Sequence, residues 1–455
     1  MGKNDHGALP MKGIDLEGTR KEALNEKGLF VCGDWPEKNW WDDFQDCELS
    51  KVIEKAIRDN PSLQSVQARV MAVKGESDVV KSKLFPKVNA LFNLIWIYLS
   101  KDAQKALPSL DPNFHFYTVG FDFTYEFDFW GKNKKLFLAA LGEVQTQEAL
   151  FAQAKIVLST SVAIGYFSLQ AAAAKLQVMS ELLENRSKQL ELTILRDTYR
   201  IANLIDVDQM KQEVLFLQEG FSALKEELDL HKSSFLTLIG QNPAQDLEFG
   251  FKWKVNYIPF EIPKEIGLNL LARRADLAAQ MARVKKSANL VGAAVSQFYP
   301  SVNLAGLLAF QDLDFNRLFS GQSFMPTLFP LIQLPIFQGG KLRANLKEKL
   351  ALHEAAVYDY NDSILRAANE VVRSINRLIS VNEQLNFQNT KSGFSKEISQ
   401  LTDIKYKQGI DSLYKLLQAK EKYLMVEMHQ IELERIKYES IILLIRALGG
   451  GYNRE

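Results

Sequence analysis

The sequence has 455 residues, 47% of them apolar, and its 55 basic and 55 acidic side chains cancel; there is material for a large core and no net charge to draw the chain to nucleic acid. Two cysteines, Cys32 and Cys47, and five histidines exclude a disulfide framework and a recurrent metal-ligand pattern, so no cofactor or metal is expected. No run reaches the roughly 18 or more uninterrupted apolar residues of a spanning helix, so if the chain crosses a membrane it does so with strands.

Residues 1–48 read as an N-terminal tail. Residues 1–31 are polar and Gly-rich, without a basic start and an apolar run, so no secretory signal is visible; it was removed or never existed. Leu29, Phe30, Val31 and Cys32 have the form of a lipoprotein cleavage site without the apolar segment before it, which makes Cys32 a possible lipid anchor. The alternative is an extended tail with a buried cysteine. Trp40, Trp41 and Phe44 follow among acidic residues. From Leu49 to Lys83, Val52, Ala56, Leu63, Val66 and Val70 fall mostly at three- and four-residue steps, which predicts a helix that Asn60 and Pro61 indent. At Phe85 the period changes to two. Val88, Ala90, Phe92, Leu94 and Trp96 alternate with Lys87, Asn89, Leu91, Asn93 and Ile95; a loop from Lys101 to Asn113 follows. Next, Tyr117, Val119, Phe121, Phe123, Tyr125 and Phe127 alternate with Thr118, Gly120, Asp122, Thr124, Glu126 and Asp128. This is a strand pair with one apolar and one polar face.

Gly131 then joins the second strand to a very long helix. Phe137, Val144, Phe151 and Leu158 fall seven apart, the seam steps by four to Val162, and it resumes at Leu169, Leu176, Leu183 and Leu190. Seven-residue spacing means coiled-coil packing, and the four-residue step is a stutter. Such a helix is roughly 100 Å long, at about 1.5 Å per residue. A turn from Tyr199 to Asn203 leads to a returning helix from about Asp206 to Leu238, and residues 241–267, rich in Pro and aromatic residues, form a linker.

The second half repeats the first. Leu277, Ala282, Arg283, Val284, Tyr299, Pro300, Val302 and Asn303 stand 214 residues after Leu63, Ala68, Arg69, Val70, Phe85, Pro86, Val88 and Asn89. A constant offset over so many positions is an internal duplication. Strands follow from Ser301 and over Phe324 to Phe337, the second carrying Pro326, Pro330 and Pro335, which favour an edge or a bulge. Gly339 and Gly340 form the strand-to-helix joint. Leu350, Val357, Ile364, Val371, Leu378 and Leu385 hold seven-residue spacing, and the turn Tyr406 to Ile410 leads to a return helix from about Ser412 to Leu448. Asn203 and Gly409 are the turn residues that tolerate a left-handed conformation. The expected fold is mainly α with a small β part, duplicated over residues 49–240 and 268–449, with a short tail at 450–455.

Strands that are apolar outside and polar inside can span a bilayer only as a closed barrel, and four strands cannot close around a lumen. The chain must then oligomerise. The other reading is a soluble helical rod with two hairpins on its core. No catalytic motif appears: His6, His115, His231, His353 and His429 lie in separate elements, and there is no phosphate-binding loop or nucleophile elbow.

The sequence resembles the outer-membrane efflux factors of Gram-negative bacteria, the TolC and OprM type. The resemblance runs from about Trp40 to Gly449 and rests on Asn60 to Val70 before Leu84, Phe85 and Pro86, on Tyr125 to Lys132, on Leu270 to Leu277 and on Leu334 to Lys341. The family usually has proline where Ala275 stands and glycine where Asn203 stands. The resemblance implies a homotrimer whose twelve strands form one barrel in outer-membrane lipid, continued by a helical tunnel in the periplasm. It implies passive conduction of small molecules or drugs, with a periplasmic adaptor and an inner-membrane pump as partners; a duct of a type I protein-secretion system has the same architecture. The turns at Asn203 and Gly409 are the points farthest from the strands and are expected to dock the adaptor. A gate is expected at Tyr406, Asp411, Lys415 and Gln418, with the last three at helical spacing.

Overall fold

The duplication reappears as elements of equal length. The computed structural model describes residues 9–11, 14–25, 29–109, 111–247, 249–253, 260–264, 266 and 270–453, so parts of both expected tails and of the expected linker lie outside the described residues. In chain order it has α1 (Glu17–Asn25), β1 (Phe30–Gly33), α2 (Cys47–Asp59), α3 (Pro61–Lys81), β2 (Lys87–Tyr98), α4 (Lys101–Ala106), β3 (Asn113–Phe127), α5 (Lys132–Thr198) and α6 (Leu204–Leu238). Then come β4 (Phe260–Pro263), α7 (Leu270–Arg273), α8 (Ala275–Ser296), β5 (Ser301–Asp312), β6 (Phe324–Gln333), α9 (Lys341–Lys407) and α10 (Leu413–Ala447). Strands β2 and β5 both have 12 residues, α5 and α9 both have 67, and α6 and α10 both have 35. Lys341 follows Lys132 by 209 positions and Leu413 follows Leu204 by 209, so the offset of 214 shortens by five across the second hairpin.

Two compact units result, and each takes segments from both halves of the sequence. One is built chiefly from residues 69–148 and 279–360. Its sheet has the order β2-β3-β5-β6, antiparallel throughout. The register sets Phe92 opposite Val119, Val119 opposite Phe310 and Phe310 opposite Phe324, and likewise Ala90, Phe121, Leu308 and Pro326. One face is therefore apolar across all four strands, because a period of two keeps each alternating set on one side. The other face carries Lys87, Asn89, Asp122, Thr124 and Asn303, with Asn89 Nδ2 donating to Asp122 Oδ2 at 3.0 Å. Pro326 and Pro330 sit in β6, an edge strand, where a missing N–H costs least. β6 stops at Gln333, before the expected Phe337, because Pro335 removes a further donor. The expected loop from Lys101 to Asn113 contains α4, capped by Ser100 Oγ accepting from Ala103 N at 3.3 Å.

The other unit is built from residues 11–68, 149–278 and 361–455. Its core gathers Trp40, Trp41, Ile53, Val162, Phe167, Leu169, Phe235, Leu236 and Ile442, with the Phe167 ring stacked on Tyr438 at 4.2 Å. Here the expected plain tail is corrected: Trp40 and Trp41 are buried in a short 3-10 turn, and β1 pairs in parallel with β4 of the linker. Two indole rings carry too much apolar surface to stay in water. Cys32 lies in that strand and is exposed rather than buried; Cys47 is also exposed. The single helix expected from Leu49 to Lys83 is two helices, since Pro61 lacks an N–H and holds Asn60 extended at φ −69° and ψ 118°. Asn60 then caps α3, its Oδ1 accepting from Leu63 N at 3.1 Å.

The long-helix seams differ. On α9, Val357, Ile364, Val371, Leu378 and Leu385 are all buried, while Leu350 is exposed. On α5, Val144, Val162 and Leu169 are buried, but toward the C-terminal end the buried positions are Leu182, Asn185, Gln189 and Thr193 rather than Leu183 and Leu190. α5 also contains an apolar stretch long enough to cross a membrane, two thirds of it buried within the protein.

Candidate functional site

The two helix turns have one geometry. At the end of α5, Ile201 N donates to Arg196 O at 2.8 Å and Arg200 N to Asp197 O at 2.8 Å; at the end of α9, Ile410 N donates to Lys405 O at 2.9 Å and Gly409 N to Tyr406 O at 2.9 Å. Both are Schellman motifs, which need a left-handed residue at the turn. Gly409 fills that place at φ 74° and Arg200 fills it at φ 58°. The expectation that Asn203 takes the left-handed conformation is therefore corrected. Asn203 is extended at φ −121° and caps α6 in a reciprocal box, its Oδ1 accepting from Asp206 N at 2.9 Å and its N–H donating to Asp206 Oδ2 at 3.0 Å. The side chain finds its partner only from extended backbone, so the left-handed role falls three residues earlier. Ser412 is the equivalent cap of α10.

Around these turns Ile201, Leu204, Ile205 and Ile410 are all exposed. The sequence reading missed this apolar surface, because each residue taken alone reads as one position of a helical seam.

Of the expected gate residues, Asp411 and Lys415 come together: Lys415 Nζ donates to Asp411 Oδ1 at 2.9 Å, the carboxylate mostly covered and the ammonium exposed. They do not share a helical face in the strict sense, since α10 begins at Leu413 and Asp411 precedes its cap. Tyr406 is at the edge of exposure, and its hydroxyl has no hydrogen-bond partner among the described residues; Gln418 is exposed. Near the turns, Arg196 of α5 lies over the Tyr414 ring of α10, 5.7 Å from its centre. Gly131, at φ 70°, stands between β3 and α5, and Gly339 and Gly340, at φ 56° and 85°, precede α9.

A buried polar cluster among α5, α6 and α10 had no counterpart in the sequence reading. Arg186 of α5 is paired with Glu421 of α10 and, at 2.8 Å, with Glu213 of α6. Gln189 Nε2 donates to Glu421 Oε2 at 2.9 Å, and Asn185 Nδ2 donates to Leu417 O at 3.0 Å. Buried polar groups are mostly hydrogen-bonded; here Asn185 and Gln189 tie α5 to α10, and Arg186 ties it to both α10 and α6. The signal was present as Asn185, Gln189 and Thr193 at four-residue steps, a polar row that reads from sequence as a solvated face.

Farther along α10, a cavity of about 590 Å³ is lined by Trp35, Trp40, Asp43, Glu434, Lys437 and Tyr438. Burial, with Glu261, Glu37 and Asp42 nearby, pushes the Asp43 carboxyl up. Burial pushes the Lys437 ammonium down to about 8, against the opposing pull of Glu434. Lys437 Nζ donates to Asn382 Oδ1 at 3.1 Å.

Known proteins align with this architecture over most of the chain. The family described as "Outer membrane efflux protein" matches residues 52–219 and 268–450, the two halves of the duplication. The multidrug resistance outer membrane protein MdtP of Escherichia coli (strain K12) is 25% identical over 430 residues, covering 92% of this chain and 87% of that protein. The crystal structure of the outer membrane protein VceC of Vibrio cholerae superposes with a TM-score of 0.81 at 28% identity, covering 92% of this chain and all of that one. The CmeC outer membrane channel of Campylobacter jejuni superposes with a TM-score of 0.85 at 21% identity, over 93% of this chain and 90% of that one.

Proposed function

Because the chain belongs to the outer membrane efflux protein family, we propose that it is the passive exit duct of a tripartite efflux pump, a homotrimer carrying small molecules across the periplasm and the outer membrane. The observation that carries this reading is a pair of equivalent helix faces, one covered within the chain and one left open. Gln189 and Glu421 meet across α5 and α10, with Gln189 fully buried. Their equivalents 209 positions away, Ile398 of α9 and Gln212 of α6, are both exposed, as are Phe394 of α9, the equivalent of Asn185, and Leu215 of α6, the equivalent of Leu424. At 58%, 62% and 62% exposure respectively, Ile398, Phe394 and Leu215 carry apolar surface that water disfavours. The repeat supplies what covers them: α6 of a second copy against α9 of the first, as α10 lies against α5. The sheet makes the same demand, since an apolar face with two open edges is stable in lipid only when copies close it into a barrel.

In this reading the apolar surface at Ile201, Leu204, Ile205 and Ile410, with the turns at Asn203 and Gly409, docks a periplasmic adaptor. Tyr406, Asp411, Lys415 and Gln418 line the gate. The Asp411 to Lys415 pair is partly solvated and worth roughly 0–1 kcal/mol, so opening there is cheap.

The test is a pair of cysteines, Gln212→Cys with Ile398→Cys, in a Cys32→Ser and Cys47→Ser background. A short bismaleimide should convert the double variant, and neither single variant, into covalent trimers in membranes. In planar bilayers that species should conduct, and Asp411→Ala combined with Tyr406→Phe should raise its conductance. A particle that stays monomeric and soluble without detergent, or one that does not conduct, would overturn the duct.

A further inference from the structure

The face of the sheet opposite the lipid-facing one carries Ala305, Leu307, Phe329 and Leu331 on β5 and β6, while on β2 and β3 it is mostly polar and then changes character. On β2 and β3 it carries Lys87 opposite Thr124, Asn89 opposite Asp122 and Asn93 opposite Thr118; the next two pairs are Ile95 opposite Phe116 and Ile97 opposite Phe114. Contact with lipid does not explain these four side chains, since Trp96, Leu94 and His115 occupy the lipid-facing side at the same level. Nor does a neighbouring strand. β5 ends at Asp312, opposite Tyr117, and β6 starts at Phe324, opposite Phe310, so the end of the β2-β3 hairpin runs on past both. Ile95 is exposed and Ile97, Phe114 and Phe116 are half-buried.

From this placement we propose that Ile95, Ile97, Phe114 and Phe116 form an apolar collar at the outer mouth of the duct, a second selectivity point distinct from the gate at the helical tip. The proposal rests on the trimeric-duct reading, which turns this face toward the lumen and places the hairpin ends outside the cell. Three copies bring three such clusters around one axis. A constriction lined only by alkyl and aromatic groups offers water no hydrogen bonds, so it resists ions and strongly hydrated solutes while amphipathic molecules pass. A duct for drug-like cargo thereby stays open to its substrates and restrictive to charged solutes entering from outside.

Asn93, one step inside the collar on the same face, reports on passage through it. With Asn93→Cys in the Cys32→Ser and Cys47→Ser background, intact cells are treated from outside with a charged maleimide and with an uncharged apolar maleimide of similar size. The uncharged reagent should label quickly and the charged one slowly. Ile95→Thr with Ile97→Thr, which keeps β-branched strand formers and adds hydroxyls, should speed charged labelling by about tenfold or more and leave uncharged labelling nearly unchanged. Phe114→Ser with Phe116→Ser should do the same, and trimer recovery from membranes shows that each variant has assembled. Equal rates for the two reagents in the parent Asn93→Cys protein, or no acceleration in either variant, would overturn the collar. If neither reagent labels the thiol introduced by Asn93→Cys, this face does not line a water-filled lumen and the collar is overturned as well; bilayer conductance of the parent then decides separately whether the duct itself stands.

Discussion

The two halves of the chain solve the same structural problems with different residues, and the differences show where stability has been exchanged for something else. Where each return helix ends against the start of a helix before the hairpin, the first half uses Asn60, whose Nδ2 donates to Leu238 O at 2.8 Å. The second half uses Arg274, 214 positions later, whose Nη1 donates to Ala447 O at 2.9 Å. The neutral amide needs nothing more. The guanidinium is buried and requires two carboxylates, Asp276 at 2.6 Å and Glu370 at 2.8 Å; burial works against its charge and these two outweigh it. Ten positions before those carbonyls on each return helix, Leu228 of α6, half-buried against the core, is replaced by Lys437 of α10. At the turns, Arg200 stands where Gly409 does. An internal repeat thus works as a natural mutant series, in which the same backbone is held by a cheap solution in one copy and a costly one in the other.

The sharpest way to break the comparison is at the buried arginine. Arg274→Ala strands the Ala447 carbonyl and leaves two carboxylates without their counter-charge, so it should cost about 2–4 kcal/mol. Asn60→Ala, which removes one cap and one donation, should cost about 1–2 kcal/mol. Chemical denaturation of the detergent-solubilised protein, read as a shift in midpoint at constant slope, ranks the two; equal losses would mean that the carboxylates contribute nothing.

Lys437 comes next. Its folded-state value near 8 lies below the ordinary lysine value of about 10.4, so between these pH values the unfolded chain holds the proton that the folded chain has released. Stability should rise with pH across that window, and the full penalty is present below it. Lys437→Leu, which copies the first half, should stabilise by about 1–2 kcal/mol at pH 7 and flatten the rise above pH 8. A parent whose thermal midpoint shows no upward slope between those values would refute this assignment.

The smallest effect is expected at the turns. Arg200→Gly relieves a side chain held in the left-handed region and should gain about 0.5–1 kcal/mol, whereas Gly409→Ala should lose about 1 kcal/mol. Differential scanning of both variants should move the midpoints in opposite directions, and a shift of the same sign in both would dissolve the equivalence of the two motifs.

Much of this architecture was legible in the residue pattern. The period of two over Tyr117 to Phe127 announced β3 and its apolar face, and the seven-residue rows announced α5 and α9. The turns fall where the residue pattern places them, but the left-handed residue of the first is Arg200 and not Asn203. Local propensity favoured Asn203, while the capping box with Asp206 claimed it for the start of α6. The expected gate pair, Asp411 and Lys415, was visible as a four-residue step. The Arg186, Gln189 and Glu421 cluster was not, because a charged residue on a helix is solvated until a particular neighbour covers it.

The sequence by itself determined the period of each element, the duplication and the sidedness of the sheet, since these follow from backbone geometry and the aversion of apolar groups to water. Only the tertiary structure decided which polar residues are buried, how the N-terminal segment folds onto the core through Trp40 and Trp41, and which equivalent faces stay open. The reason is that burial is a property of pairs: Gln189 and Ile398 occupy the same position in the repeat, and what separates them is that α10 covers one and nothing among the described residues covers the other.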